Sequence, residues 1–407
     1  MREMVKHCSQ RIKLMNKGDN AFIFFCAYGV NFNFSFLNII SIYNRLQIKI
    51  FTSFFMNSSP PTFSSTDSED LRPKTVVLHQ QTGIGDLIWH IPYIKAIASQ
   101  SYQGKITLVV SPSTLAKQIL PPENCVSEFI DYYHLPRSVD RSSAHGSRFS
   151  RLCQIVSTLK SKNFDRIVLL SGRTSRGLIA FLSNIPQRVG YGYSWSQRIF
   201  LNTPPYIKRP EGSSNPVYHD ATAFCIAQGF CDAPIIPKIT IPEELSSKAA
   251  ARLAHLPRPI YTLAIGSSEE FKQWGTHNYT QLAQALAERG FGVLLLGGKV
   301  DQAMATTIKS NITSLYQKQV EVVTDTPILE SSAAVKYTDV CIGNDTGLSQ
   351  IAPACDCLCY VIMGPRPTLD HDPKQFYVIS DKLSNITFQQ VLDQLAQLPA
   401  PGFKKEV

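Results

Sequence analysis

The sequence predicts an α/β protein of two Rossmann-like domains, each a parallel sheet wound with helices on both faces, set opposite one another across a cleft. Three observations lead there. From Lys74 onward, short β-branched runs alternate with amphipathic helical patterns, the pattern of strand–helix–strand units and parallel sheets. The alternation occurs twice, on either side of a proline-rich break at Pro234–Pro259. At 407 residues the chain also exceeds one ordinary core, for which about 150 residues is typical. The expected division is an extension over residues 1–73 outside the fold, a first domain over 74–235 and a second over 236–407.

In chain order, the first domain's strands are expected at Thr75–His79, Ile106–Val110 and Arg166–Leu170. Those of the second are expected at Tyr261–Ile265, Gly292–Leu296, Val320–Val323, Asp339–Ile342 and Cys359–Met363. Helical spacing marks the stretch from Asp86 toward Ala98, Tyr279–Arg289 and Ile328–Tyr337. The break contains IIPKITIPEEL, a crossover between domains, followed by a short helix. Hydrophobic residues make up 44% and charged residues 17%, which excludes collagen-like, low-complexity and disulfide-stapled classes.

The leading segment is of another kind. Residues 1–56 carry seven Lys/Arg against two Asp/Glu, so +5 of the net +9 lies there and only +4 in the remainder. It holds no stretch of about 18 apolar residues that would span a bilayer. It reads as an extension upstream of a start at Met56, a peripheral membrane-binding arm, or an anchor. A body at +4 gives no reason to expect nucleic acid as a partner. The ten cysteines form no CxxC pair, and the alternating Cys355, Cys357 and Cys359 read as buried thiols beside a strand in a reducing cytoplasm.

In open α/β sheets, ligands bind at the carboxyl ends of strands, and three loops there carry chemistry. In QQTGIGDLIWHIP, Gly83 and Gly85 allow a tight turn, and Asp86 opens a helix either as its cap or as a carboxylate placed for general base work. In GSSEEFKQWGTHNY, Gly266, Ser267 and Ser268 offer donors and Lys272 a mobile cation; a solvated loop and a phosphate-binding loop both fit. In CIGNDTGLSQIAPA, a strand ends in Gly343-Asn344-Asp345 and Thr346, Gly347, Leu348 and Ser349 open a helix, an anion site suited to a diphosphate. GxxxxGK[ST] is absent, so this is not a P-loop. Asp370-His371-Asp372 follows Pro367 and reads as a solvated loop rather than a metal site. Arg173 and Arg176, after the third strand, face the expected cleft. The arginine-rich segment with Arg137, Arg141, Arg148 and Arg151 is either an anion-binding or a solvated loop.

Taken in order, TGIGDLIWHIPYIKAI, RVGYGY, IGSSEEFKQWG, NYTQLAQALAERGFGVLLLGG, CIGNDTGLSQIAPACD and VIMGPRPT resemble glycosyltransferase family 9, the lipopolysaccharide heptosyltransferases, over about residues 74–400. The resemblance implies the GT-B fold. It implies that Asp86 is the general base on the acceptor hydroxyl, and that Lys272 contacts the donor phosphates. Gly266, Ser267, Asp345, Thr346, Gly347, Leu348 and Gln350 would line the nucleotide-sugar site, with Asp301 of LGGKVDQ on the ribose. Two positions depart from the family pattern: Gln350 stands where His is usual, and Gly275 where Pro commonly follows Lys-x-Trp.

The implied reaction is inverting transfer of a heptose from ADP-heptose to an anionic glycolipid, Kdo–lipid A or a heptosyl acceptor, with Gly85, Arg173 and Arg176 on the acceptor side. No metal or cofactor is expected, since no DxD motif occupies the three strand-end loops. The implied location is cytoplasmic, with peripheral contact to the inner membrane. Transfer of another nucleotide sugar, epimerisation of a sugar nucleotide, and a non-catalytic binding role are the alternatives.

Overall fold

The computed structural model describes residues 70–132, 148–209, 217–267, 269–369, 371–397 and 400–403, all within the unit Glu69–Val407. The expectations for residues 1–69, Arg137, Arg141, the Arg148 side chain, Ser268 and Asp370 lie outside the described residues.

Continuous apolar runs make the central strands. Val76, Val77 and Leu78 of β1 (Thr75–His79) have no solvent exposure, as a strand covered by helices on both faces requires. β2 (Ile106–Val110), β3 (Val126–Asp131), β4 (Arg166–Leu170) and β5 (Gln187–Gly190) complete a parallel sheet in the order β3-β2-β1-β4-β5. The second sheet contains β6 (Ile260–Ala264), β7 (Gly292–Leu296), β8 (Val320–Val323), β9 (Val340–Asn344), β10 (Leu358–Met363) and β11 (Gln375–Ile379), in the order β11-β10-β9-β6-β7-β8. All neighbouring strands run parallel. The expected strands are present within one or two residues at their ends. β3, β5 and β11 were not anticipated.

The helices used below are α1 (Ile84–Ser99), α2 (Thr174–Leu182), α3 (Val217–Ala227), α4 (Glu243–Leu253), α5 (Thr276–Glu288), α6 (Gln302–Asn311), α7 (Ile328–Tyr337), α8 (Gly347–Ala354) and α9 (Phe388–Gln397). On α1, Leu87, Ile88, Ile91, Ile94, Ile97 and Ala98 are buried, each large side chain contributing about 1.5–3 kcal/mol by leaving water. On α5, Tyr279, Leu282, Ala283 and Leu286 do the same for the second sheet. The crossover touches both halves. Thr240 N–H donates to Glu123 Oε1 at 2.6 Å, and Ile239 N–H to the Ala354 carbonyl at 3.1 Å.

Both sheets have a switch point where the winding reverses, between β1 and β4 in the first and between β6 and β9 in the second. Such points open a crevice at the strands' carboxyl ends. No described helix is long and apolar enough to cross a membrane. Cys341, Cys355, Cys357 and Cys359 are buried, and burial pushes the Cys355 thiol up to about 12, which suits inert packing.

Candidate functional site

At the first switch point, the Ser171 hydroxyl beyond β4 donates to Gln80 Oε1 beyond β1, tying the two loops together. α1 follows β1 almost at once. Gly83, not Asp86, takes the cap position, and Asp86 is the third residue of the helix. Its Oδ2 accepts the Gly83 N–H at 3.3 Å, so the carboxylate serves the helix end from inside the first turn. Negative charge is favourable there. Burial raises the Asp86 carboxyl to about 6; the Gly83 bond and the Lys272 charge pull the other way. Behind it, His90 Nδ1 lies 2.5 Å from the Asp86 carbonyl and 3.3 Å from His79 Nε2. Burial holds the His90 imidazole down at about 4, so it is neutral at physiological pH.

Lys272 comes from the other sheet, on the loop after β6. The Trp274 indole anchors that loop: it is buried, donates to the Ile386 carbonyl at 2.7 Å, and packs edge-on to Tyr279 at 5.0 Å. Asn344 at the end of β9 accepts the Trp274 N–H at 3.1 Å and donates to the Ile265 carbonyl at 3.1 Å. It thereby locks the two switch-point loops. Gly275 has φ 101, a backbone setting that proline's ring, fixed near −65°, cannot adopt. The departure from the usual Pro therefore reflects how this chain enters α5.

Lys272 Nζ pairs with Glu269 at 2.6 Å and stands 3.9 Å from Asp345 Oδ2. Asp345 is also paired with Arg366, whose guanidinium lies 5.3 Å from the Phe271 ring centroid. Arg366, at the end of β10, carried no role in the sequence reading. Its position after a strand, in GPRP, was the available signal.

Other donor-side candidates gather nearby. Asp301, leading into α6, accepts the Gly298 N–H at 2.8 Å. A Cβ on Gly266 would meet its Oδ2 at 2.4 Å, so Gly266 is what lets that carboxylate sit against the loop. The Ser267 hydroxyl turns back on its own loop, donating to the Glu269 carbonyl at 2.9 Å. Thr346 caps α8, and its N–H donates to Ser349 Oγ at 3.2 Å. The Leu348 side chain is partly buried and packs against the core.

The starts of α1 and α8 touch. A Cβ on Gly347 would lie 2.9 Å from Ile84 Cβ, and one on Gly85 would lie 2.9 Å from Gln350 Cγ. Buried Gln350 accepts the Trp89 indole N–H at 3.0 Å. Arg173 is exposed beyond β4, whereas Arg176 is buried and donates to the Tyr132 hydroxyl at 3.0 Å. One expectation fails. Asp372, read as solvated, is buried and accepts the Lys374 N–H at 2.9 Å. His371 packs edge-on against Trp89 at 5.7 Å, so this turn is drawn onto α1. Among the described residues, no cluster of three His, Cys, Asp or Glu side chains is arranged to hold a metal.

Two doubly wound parallel sheets, with a carboxylate on one and a cationic loop plus helix start on the other, make a GT-B fold. Residues 152–363 match the family profile of glycosyltransferase family 9 (heptosyltransferase). Lipopolysaccharide heptosyltransferase 2 of Salmonella typhimurium is 24% identical over 274 residues, 59% of this chain and 77% of that protein. Escherichia coli ADP-heptose lps heptosyltransferase II superposes with a TM-score of 0.61 at 18% identity, over 80% of this chain and 98% of that one. A family 9 glycosyl transferase from Veillonella parvula gives 0.64 at 18%, over 81% and 97%. The chain belongs to glycosyltransferase family 9 and is a glycosyltransferase.

Proposed function

We propose that this enzyme transfers a heptose from ADP-heptose to the inner core of lipopolysaccharide, onto Kdo–lipid A or a heptosyl acceptor, with inversion. The observation that carries the reading is the half-buried Asp86 carboxylate of the first sheet, on which the Lys272 charge from the second acts. The E. coli heptosyltransferase WaaC, 17% identical, has been seen with ADP-2-deoxy-2-fluoro heptose, which supports the donor class.

Asp86 takes the proton from the acceptor hydroxyl, whose oxygen forms the new bond to the anomeric carbon as the bond to the diphosphate breaks on the opposite face. Charge then develops on the departing ADP. Lys272, the Thr346 hydroxyl and the N–H groups of Gly347 and Leu348 at the start of α8 stabilise it electrostatically. Asp345 holds Lys272 and Arg366 beside that phosphate position, and Asp301 with Gly266 and Ser267 receives the nucleoside end. Gly85 and Arg173 line the acceptor side, with Arg176 bracing Tyr132 behind them. An anionic lipid acceptor places the reaction at the cytoplasmic surface of the inner membrane, in peripheral contact. The test is incubation with ADP-heptose and Kdo–lipid A, or heptosylated Kdo–lipid A, followed by mass spectrometry. One added heptose is the expected product, and no mass gain with either acceptor overturns the reading.

A further inference from the structure

Gln350 is 4% exposed, and both ends of its amide are hydrogen-bonded inside the protein. Oε1 accepts the Trp89 Nε1–H at 3.0 Å from α1 and the Gln375 Nε2–H at 3.3 Å from β11, while Nε2 donates to Ser349 Oγ at 3.3 Å. A carbonyl oxygen has two lone pairs and takes both donors at once; an imidazole nitrogen has one. Glutamine at this position therefore does something that the usual histidine cannot.

Everything else at this contact brings the two helices close. Gly85 and Gly347 leave no Cβ between them, and His371 lies edge-on to the same indole at 5.7 Å. Trp89 is one turn along α1 from Asp86, and Gln350 one turn along α8 from Thr346.

We propose that Gln350 is a positioning residue rather than a donor contact: through Trp89 it clasps the helix carrying Asp86 to the helix that opens the donor loop. The inference rests on Asp86 and Lys272 acting on one reaction. The clasp fixes their separation, so its loss lowers turnover with the donor still bound. Since one buried hydrogen bond is typically worth about a factor of ten, its loss should slow kcat roughly tenfold.

The test uses the full chain as wild type, Trp89→Phe, Gln350→Met, Gln350→His and the double variant Trp89→Phe/Gln350→Met. Hydrogen exchange is read over α1 and α8, and kcat and KM with ADP-heptose and the acceptor that passes the mass assay. The expected result is faster exchange in both helices from either single change. With it, kcat falls about tenfold, donor KM stays within about twofold, and the double variant is no worse than the singles. Gln350→His should resemble Gln350→Met. Faster exchange confined to the substituted helix overturns the clasp, as does a raised donor KM at unchanged kcat and exchange. If ADP-heptose gives no transfer at all, the proposed function fails, while the exchange data still decide for or against the clasp.

Discussion

Burial raises the Asp86 carboxyl from 3.8 to about 6, so this side chain is ionised at neutral pH against a solvation cost. The folded value lies above the unfolded one. Asp86 therefore favours the fold most below about pH 4, and that contribution is lost as pH rises through about 6. Asp86→Asn keeps an oxygen for the Gly83 N–H and never ionises. It should raise the unfolding free energy at pH 8 by about 2–3 kcal/mol and change it little at pH 4, measured by urea denaturation at both. His90 works in the opposite sense, being neutral in the fold, but it is present in both proteins and cancels. The same variant should lose transfer by about 10²–10⁴-fold; retained transfer would show that Asp86 is not the base. Because the Lys272 charge lowers the Asp86 value, Lys272→Met should move the acidic limb of the kcat/KM profile to higher pH. An unmoved limb would separate the two groups. Asp86, Lys272 and Asp345 were legible because each follows an apolar strand run. Gln350 was legible as a donor-site candidate, but its bonds to Trp89 and Gln375 were not, and neither was the pairing of Arg366 with Asp345, because those partners are brought to them by the fold.

At the scale of elements, the contact of α1 with α8 decides what the glycines of GIGD and DTGL are for. In the sequence, Gly347 reads as room for a ligand; in the structure it is room for Ile84 of the opposite sheet. Gly347→Ala would drive a methyl group to 2.9 Å from a stiff, β-branched Cβ, whereas Gly85→Ala meets the unbranched Cγ of Gln350. Gly347→Ala should therefore cost more transfer than Gly85→Ala, with ADP still bound. Steady-state kinetics beside ADP titration calorimetry reads both. Equal losses would remove the packing explanation. Strand legibility followed burial. β1, β2, β4, β6 and β7 are buried along their whole length and read as mostly apolar runs, while β3, β5 and β11 lie at sheet edges and mix polar with apolar residues. An edge strand is covered incompletely and carries no continuous hydrophobic signal. VEVV of β8 shows that an edge stays legible when its residues are β-branched.

Across the whole molecule, the two sheets divide the work. Lys272, Asp301 and Asp345 through Leu348 all belong to the second sheet's loops, and Asp86 with Arg173 to the first sheet's. The two-fold alternation in the sequence foretold two sheets, since strand and helix periods are local properties. It did not foretell that the crossover would bind both halves through Glu123 and Ala354, or that one buried amide would join them. The division has a kinetic consequence. Arg173 is exposed at the rim and, as a partner for an acceptor phosphate or carboxylate, contributes a charge-assisted bond that is typically worth at least a factor of ten. Arg173→Ala should raise acceptor KM about tenfold and leave the ADP dissociation constant unchanged. Lys272→Met should weaken ADP binding and lower kcat while acceptor KM holds. The five numbers come from initial rates at varied acceptor and from calorimetry with ADP. If Arg173→Ala weakens ADP, or Lys272→Met raises acceptor KM alone, donor and acceptor are not apportioned between the sheets, and Asp86 and Lys272 do not meet one reacting pair.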